Sequence, residues 1–322
     1  MKCAPILLIG FNRPDFTALQ ISRLKPLSPD KLYFVVDGPR ADKPTEIECC
    51  LQVRSCTKLI DWPCEVQTLF RDQNLGCKDS VSGAITWFFE NEESGIIIED
   101  DCSVGADFIR FASELLEYYR DDERVGAISA MNRYDLQSNS MESYHFNTHI
   151  DVWGWASWRR VWKDYNTNIL QYEKKRYEIV NRGLRTRRAR RAALKSFEAV
   201  VSGLSTWDYQ LGFMFMDKGL LSISPKEKLV VNIGFCDNRG TNVAGYNFDA
   251  HFLLTQGRMD FPLVHPSSVI PDIKKITMEE RREYGLLPRA LTVLGNKLPK
   301  ISLLIDRIGR LLERFFPVIF KI

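Results

Sequence analysis

The chain has 322 residues, enough to bury a substantial core as one large domain or as one domain with appendages. Hydrophobic residues make up 45% of it and charged residues 26%, which is ordinary for a soluble globular protein. The net charge of +3 is too small to indicate nucleic acid as a partner by itself.

The first ten residues predict a strand rather than a signal peptide. The apolar run in MKCAPILLIG is only about five residues long, and FNRPD follows it without a small-residue cleavage site. The eight cysteines include no CxxC pair and have no partner histidines at zinc spacing. We therefore expect reduced thiols and a cytosolic protein.

Short apolar runs alternate with amphipathic stretches of helical length in the first half of the chain. Such alternation indicates βαβ units, and hence an α/β fold with a mostly parallel, doubly wound sheet and helices on both faces. The predicted strands are ILLIG (6–10), LYFVVD (32–37), EVQTLF (65–70), IIIED (96–100) and VGAISA (125–130). The predicted helices cover about 15–24, 44–60 and 79–92, with a fourth in FIRFASELLEYYR.

The periodic pattern weakens from about residue 133. RYDLQSNSMESYHF predicts a loop or meander, residues 172–201 a helix, GLSTWDYQLGFMF a compact second helix, and LLSISPKEKLVVNIGF a pair of short strands around Pro225. No internal repeat or low-complexity linker marks a boundary before about residue 270. We therefore predict one domain over 1–270, with halves 1–132 and 133–270, followed by a helical tail over 271–322.

The tail contains a predicted basic amphipathic helix. In ISLLIDRIGRLLERFFPVIF the apolar residues recur at helical spacing, while Arg307, Arg310 and Arg314 share the other side. Charges interrupt this segment too often for it to span a bilayer. Either it lies on an anionic membrane surface, which would make the protein peripheral on the inner face of the membrane, or it packs on its own domain.

A second basic stretch lies between Arg182 and Lys195 and contains no acidic residue. It is either a solvated helix face or a surface that attracts the phosphates of a lipid-linked acceptor or of a membrane. Because it has no aromatic interleaving, we do not expect nucleic acid as a partner. Its arginines are Arg185, Arg187, Arg188, Arg190 and Arg191.

Three consecutive acids, Glu99, Asp100 and Asp101, end the predicted strand in GIIIEDDCSV. Adjacent carboxylates repel one another and are costly to desolvate, so water, a basic neighbour or a bound cation must compensate them. Ligands usually bind at the C-terminal edge of the strands in open α/β sheets. This position favours the cation.

Six segments, taken in order, carry a resemblance to a known family: ILLIGFNRP, YFVVDGPR, GIIIEDDCSVGADFIRFASELL, WGWASW, STWDYQ and NIGFCDNRGTN. They resemble bacterial GT-A sugar transferases similar to eukaryotic N-acetylglucosaminyltransferase I, over roughly residues 4–245. The resemblance implies a GT-A fold, with a nucleotide-binding first half and an acceptor-binding, catalytic second half. It also implies inverting transfer of a sugar from a nucleoside diphosphate donor, UDP-linked, to a glycan or lipid-linked acceptor in surface polysaccharide biosynthesis.

The same resemblance implies roles for the residues at the strand ends. EDD is similar to the family's DxD-type motif, so Asp101 would bind Mn²⁺ or Mg²⁺ directly, while Glu99 and Asp100 would reach the ribose or metal-bound water. A hard divalent cation held by carboxylates offsets the charge of the diphosphate and acts as a Lewis acid on the leaving group. Arg13 would approach the diphosphate or ribose, or be a surface charge. Asp37 would accept from the base or ribose, or form the turn that follows it.

An inverting transferase needs a base for the acceptor hydroxyl. Asp208 corresponds to the acidic position that follows a tryptophan in the resembled family, although it also suits a helix N-cap. Trp153, Trp155 and Trp207 either bind a sugar through their aromatic faces or belong to the core. Gly154 suggests a close backbone approach at this point.

NIGFCDNRGTN departs from the resembled family, because Asn242 stands where a histidine is common. An amide is a poorer metal ligand than an imidazole, which leaves open whether the protein supplies a second ligand to the cation. Thr241 and Asn242 are expected to contact the donor diphosphate. Two other functions stay open: a sugar-phosphate nucleotidyltransferase, and a non-catalytic module that binds nucleotides or glycans.

Overall fold

One eight-stranded sheet forms the centre of the fold in a computed structural model that describes residues 2–132, 141–236 and 256–285. Its strand order is β3-β2-β1-β4-β8-β6-β9-β7, while β5 and β10 form a separate two-stranded sheet. The strands are β1 (Ile6–Gly10), β2 (Lys31–Val36), β3 (Glu65–Phe70), β4 (Ser94–Glu99), β5 (Cys102–Val104), β6 (Val125–Ser129), β7 (Tyr144–Asn147), β8 (Trp155–Trp158), β9 (Leu221–Pro225) and β10 (Val230–Asn232).

Most neighbouring strands of the large sheet run parallel, and β7 and β8 are antiparallel to their neighbours. The central strands are buried along their length, as expected for apolar runs in a parallel sheet covered on both faces. The predicted α/β fold with a mostly parallel sheet is therefore confirmed. The arrangement is consistent with a GT-A fold.

Helices flank this sheet, and most begin where the sequence predicts. Helix α3 starts at Gly76, three residues before the predicted start, in a left-handed conformation that favours glycine. The α-helices of the described residues are α1 (Pro14–Leu24), α2 (Thr45–Ser55), α3 (Gly76–Asn91), α4 (Ala106–Tyr118), α5 (Arg159–Trp162), α6 (Arg176–Gly183), α7 (Arg187–Val201), α8 (Asp208–Lys218) and α9 (Ile273–Tyr284).

The prediction of one helix over residues 172–201 is wrong, because the structure has a short 3-10 helix followed by α6 and α7. At Gly183 an added Cβ would lie 2.2 Å from Met216 Cγ, so only glycine allows α6 to end against α8. Thr186 then caps α7 by accepting a hydrogen bond from the Ala189 N–H at 3.2 Å.

The end of the segment predicted as a loop or meander, residues 144–146, forms most of the edge strand β7. The sequence did not predict this strand, because its polar residues find their hydrogen-bond partners on α9, a helix distant in the chain. Asn147 Nδ2 donates to Glu279 Oε2 at 2.8 Å, and Lys275 Nζ lies 3.2 Å from His145 Nδ1. The alternating Tyr144 and Phe146 side chains are buried in the core.

Helix α9 is joined to the start of α7 by the buried carboxylate of Glu280. This carboxylate accepts hydrogen bonds from the backbone N–H groups of Arg185 and Thr186 and from His149 Nε2 at 3.2 Å. Burial would raise the pKa of Glu280, but the bonds from His149 and the two backbone N–H groups outweigh it and lower the pKa. The ionised form is therefore the one that stabilises the fold.

Replacing Glu280 with glutamine is expected to lower the free energy of unfolding at neutral pH by about 2 kcal/mol, because charge-assisted hydrogen bonds are lost. Since the folded-state pKa of Glu280 is lowered, its contribution is present above the ordinary glutamate pKa of about 4.3 and is lost as the pH falls through the lowered value. Denaturant unfolding at pH 7 and at progressively lower pH measures both effects. Glu198→Gln, on the exposed face of α7, is the matched control; an equal effect in both variants would contradict the assignment.

No helix of the described residues is long and apolar enough to cross a membrane. The predicted amphipathic helix that carries Arg307, Arg310 and Arg314 lies outside the described residues. The division of the chain at residue 270 stays a prediction.

Candidate functional site

The acidic triplet lies where the sequence predicts it, at the C-terminal end of β4. Glu99 is the last residue of the strand and pairs with Ile9 of β1. Asp100, only 2% exposed, is fixed on both sides: its N–H donates to the Ile9 carbonyl at 2.9 Å, and its carbonyl accepts from Gln20 Nε2 at 3.2 Å. The triplet is therefore held rigidly at the sheet edge where ligands usually bind.

Arg13 compensates part of this charge. Its guanidinium forms a salt bridge with Asp100 through Nη2 and with Asp101 Oδ2 through Nη1 at 3.1 Å. The Arg13 side chain is 14% exposed and that of Asp101 is 23% exposed, so the pair borders on solvent. Of the three compensators considered from the sequence, the basic neighbour is thus present, and a contact of Arg13 with a nucleotide stays a prediction.

One guanidinium does not balance the carboxylates around it. Burial raises the pKa of Glu99, and the charges of Asp101, Asp100 and Asp208 raise it further. Burial likewise raises the pKa of Asp100, although Arg13 opposes the shift. A site with excess negative charge is stabilised by a further cation.

The carboxylate oxygens of the site suit a hard divalent ion that also binds water or substrate oxygens. Magnesium is commonly held by one or two carboxylates together with waters and substrate phosphates. Asp101, whose side chain is partly exposed, can supply such a carboxylate. In the part of the chain that the structure describes, no group of three or more His, Cys, Asp or Glu side chains forms a metal cage. Protein side chains alone would therefore not complete the coordination.

The small sheet brings a glycine against Asp101. Pairing of β10 with β5 sets Asn232 opposite Cys102, and the Ile233 N–H donates to the Asp101 carbonyl at 2.8 Å. The next residue, Gly234, lies so close that an added Cβ would be 2.6 Å from Asp101 Oδ2. Sequence reasoning missed this residue, although the glycine in NIGF was the available signal.

The Asp37 carboxylate holds the loop that precedes α3. It follows β2, is 4% exposed, and accepts hydrogen bonds from the N–H groups of Gly38 (3.0 Å) and Leu75 (3.1 Å) and from Asn74 Nδ2 (3.0 Å). Burial raises its pKa, which the two backbone N–H groups oppose. These contacts favour a turn-forming role that holds the loop before α3, and a contact with the base or ribose stays a prediction.

Asp208 is half-buried in the first turn of α8, and its carboxylate accepts a hydrogen bond from the Thr206 hydroxyl. The cap position is occupied by Trp207, which makes no side-chain cap hydrogen bond, so Asp208 does not act as the N-cap. An acid in the first turn still interacts favourably with the helix dipole. The alternative role considered for Asp208, as the N-cap of this helix, is therefore excluded.

Sequence reasoning missed Cys77, a cysteine close enough to several of these acids for their charges to affect its pKa. Cys77 is half-buried in the first turn of α3. Burial raises its pKa to about 12, and the charges of Glu99, Asp208, Asp101 and Asp37 also raise it. The charges of four carboxylates from three separate parts of the chain, at the ends of β2 and β4 and at the start of α8, therefore act on one thiol. No pattern of cysteines in the sequence indicated this position.

The tryptophans belong largely to the core. Trp155 is 1% and Trp207 3% exposed, and their rings stack with centroids 5.9 Å apart. Trp153 is half-buried. These placements favour the core interpretation, and a contact of any of the three with substrate stays a prediction. The expected close approach at Gly154 is present: its φ is +68°, and an added Cβ would lie 2.6 Å from Val104 Cγ1.

The last two predicted site residues, Thr241 and Asn242, lie outside the described residues, so their contact with a diphosphate stays a prediction. The first half of their motif, through Gly234, reaches the acidic triplet as described above. The motif is thus connected to the site by its described part.

No family model matches the chain, and no curated protein matches it in sequence. Solved structures that are similar to it include HddC from Yersinia pseudotuberculosis, at 11% identity, a TM-score of 0.30, and coverage of 50% of this chain and 80% of that one. A second is 4-diphosphocytidyl-2C-methyl-D-erythritol synthase from Anaerococcus prevotii, at 8% identity, a TM-score of 0.31, and coverage of 66% and 84%. A third is TarS from S. aureus, at 10% identity, a TM-score of 0.33, and coverage of 68% and 57%.

At these identities and TM-scores, the similarities assign neither a family nor a reaction to the chain. The resemblance to the N-acetylglucosaminyltransferase I-like family therefore stays a prediction.

Proposed function

We propose that the protein is a metal-dependent glycosyltransferase. It would transfer a sugar from a UDP-linked donor to a glycan or lipid-linked acceptor, with inversion, in surface polysaccharide biosynthesis. The observation that supports this is that Asp208, at the start of α8, lies near enough to the acids that end β4 for its charge to raise the pKa of Glu99. An acid for the cation and a separate acid for the acceptor are the two groups that such a reaction needs.

In this proposal Asp101 holds Mn²⁺ or Mg²⁺, and Glu99 and Asp100 add negative charge around it. The bound ion would offset the diphosphate charge and act as a Lewis acid on the leaving group. Arg13 fixes the orientation of Asp100 and Asp101 through its salt bridges. We assign to the same guanidinium a contact with the donor diphosphate, because arginine binds such oxygens through paired donors.

Asp208 acts as the general base in the proposed reaction. It takes the proton of the acceptor hydroxyl while that oxygen attacks the anomeric carbon, and the nucleoside diphosphate leaves from the opposite face. A single displacement of this kind inverts the configuration. The hydrogen bond from Thr206 holds one carboxylate oxygen of Asp208 and leaves the other for the acceptor.

One observation favours a second candidate, the non-catalytic binding module. Arg13 already neutralises part of the charge of Asp100 and Asp101, which lowers the need for a cation. A module of this kind would bind the donor without releasing its sugar. Calorimetry combined with an assay for released sugar separates the two functions.

A panel of UDP- and GDP-sugars tests the proposal directly. A ligand that binds only the native state raises its thermal midpoint, by an amount equivalent to about 2.7 kcal/mol at a hundredfold excess over Kd. We expect one UDP-sugar to stabilise the protein in the presence of Mn²⁺ and to be hydrolysed slowly. Stabilisation without hydrolysis would favour the binding module, and no stabilisation by any nucleotide sugar would contradict both functions.

The contact between Gly234 and Asp101 gives a further prediction. In Gly234→Ala the new methyl group would overlap Asp101 Oδ2, so the carboxylate or β10 must shift. We expect the affinity for donor and Mn²⁺, measured by calorimetry, to fall by about tenfold or more, since overpacking typically costs 1–3 kcal/mol.

Gly212→Ala is the control for this substitution. No atom lies within 4 Å of a Cβ at Gly212, which is inside α8, so alanine should raise stability by about 0.5–1 kcal/mol and leave binding unchanged. Unchanged binding in Gly234→Ala would show that Asp101 does not need its present position.

A further inference from the structure

The outward face of α7 carries a strip of cations. Arg187, Arg191 and Lys195 follow one another at intervals of four residues, Arg188 lies beside them, and all four are exposed. Phe197, on the opposite side of the helix, is buried in the core. Helical geometry therefore aligns the four cations over about 12 Å of surface.

Helix α9 also exposes cations while burying acids. Two of its three acids, Glu279 and Glu280, are buried toward β7 and α7 and the third, Glu283, is half-buried, whereas Lys274 and Arg281 are exposed. Because Glu280 joins α9 to the start of α7, the two helices lie side by side. We call the exposed cations of these two neighbouring helices the basic face; its members are Arg187, Arg188, Arg191, Lys195, Lys274 and Arg281.

The positive charges of the basic face have almost no nearby acids to compensate them. None of its six cations forms an ion pair with any residue that the structure describes, and Glu198 is the one acid at an exposed position of α7. The whole chain has a net charge of only +3, so this face holds more positive charge than the protein as a whole. Such asymmetry indicates an anionic partner.

We propose that the basic face docks the protein on an anionic membrane surface. Each Lys or Arg near such a surface strengthens binding by about fivefold. Exposed apolar side chains accompany the cations: Met278 lies between Lys274 and Arg281 on α9, and Val201 ends α7. Apolar groups beside cations are typical of segments that lie at a membrane interface.

Two other occupants fit less well. Single-stranded nucleic acid binds largely through bases stacked on aromatic rings, and the exposed positions of α7 and α9 include no aromatic residue. The chain's own end is also a poor partner, because residues 286–322 contain seven Lys or Arg and only two Asp or Glu. Like charges on the two surfaces would repel each other.

The test is cosedimentation of the full chain with vesicles of phosphatidylcholine, with and without phosphatidylserine. We expect binding only when phosphatidylserine is present, and weaker binding at high salt. Neutralising four cations of α7 should reduce binding by about 600-fold, at about fivefold for each cation. The variant carries Arg187→Gln, Arg188→Gln, Arg191→Gln and Lys195→Gln.

The matched control removes the same charge from exposed lysines elsewhere, through Lys2→Gln, Lys43→Gln, Lys58→Gln and Lys163→Gln. Glutamine is a good helix former, and circular dichroism verifies that both variants fold. If the variant and the control lose the same amount of vesicle binding, the loss is due to net charge alone and the proposal is overturned. Binding of the α7 variant at the wild-type level would also overturn the proposal. It would indicate that residues 301–315 bind the membrane instead.

Two further outcomes also overturn the proposal: no binding of the wild-type chain to either vesicle, and tighter binding to a single-stranded RNA than to the anionic vesicles. None of these measurements needs a nucleotide sugar. Docking and sugar transfer can therefore fail independently of one another.

Discussion

Replacing Asp101 with asparagine is expected to reduce metal-dependent release of sugar from the donor by about 10³-fold. Asparagine keeps the shape of the side chain but removes the charge that would hold a divalent cation, whose Lewis acidity contributes several kcal/mol. The fold should tolerate the change, because Arg13 keeps Asp100 as its partner. Removing one of three adjacent carboxylates also relieves their repulsion.

Turnover at saturating Mn²⁺ and the thermal midpoint are measured on the same preparations. Asp79→Asn is the control: this acid is in the first turn of α3, near the site, and its side chain is 60% exposed. Activity lost with an unchanged or higher midpoint supports the assignment. Undiminished turnover in Asp101→Asn would remove the cation from the proposed mechanism.

Replacing Asp208 with asparagine should reduce turnover by about 10²- to 10⁴-fold, the range typical of general acid–base catalysis. The amide cannot accept a proton at neutral pH, but its oxygen can still accept the hydrogen bond from Thr206. Donor and metal affinity should therefore stay within a few-fold of wild type. This pattern differs from that of Asp101→Asn, in which metal-dependent donor binding is lost as well.

Calorimetry with UDP-sugar and Mn²⁺, beside a turnover assay, separates the two patterns. Asp217→Asn, at the far end of α8 and paired with Lys175, controls for loss of an acid from the same helix. If affinity and turnover fall together in Asp208→Asn, this residue binds the donor. If neither falls, the base is elsewhere.

Local patterns predicted the elements of the first half well, because each strand there is a short run rich in apolar or β-branched residues between helical stretches. EVQTLF was placed over residues 65–70 and forms β3 over the same residues. The prediction that the acids end a buried strand was equally direct, since β-branched residues at 96–98 require burial before the charges begin.

Features that depend on distant residues were not predictable in this way. Arg13 lies 87 residues from Asp100, and nothing in FNRPD shows that its guanidinium turns toward the acids. The effect of Asp208 on the pKa of Cys77 depends on where the folded chain places the starts of α3 and α8. The break between α6 and α7 depends on the space beside Met216, which only the folded chain defines.

The contact of α9 with β7 has a consequence for shortened versions of the protein. The Asp272 N–H donates to the Phe146 carbonyl at 3.0 Å, so the start of α9 covers the last strand of the large sheet. A chain cut at residue 270 would leave that strand with unpaired backbone groups facing water, and such edges pair readily with other chains. Shortened protein of this kind is therefore expected to aggregate even if the acidic site is intact.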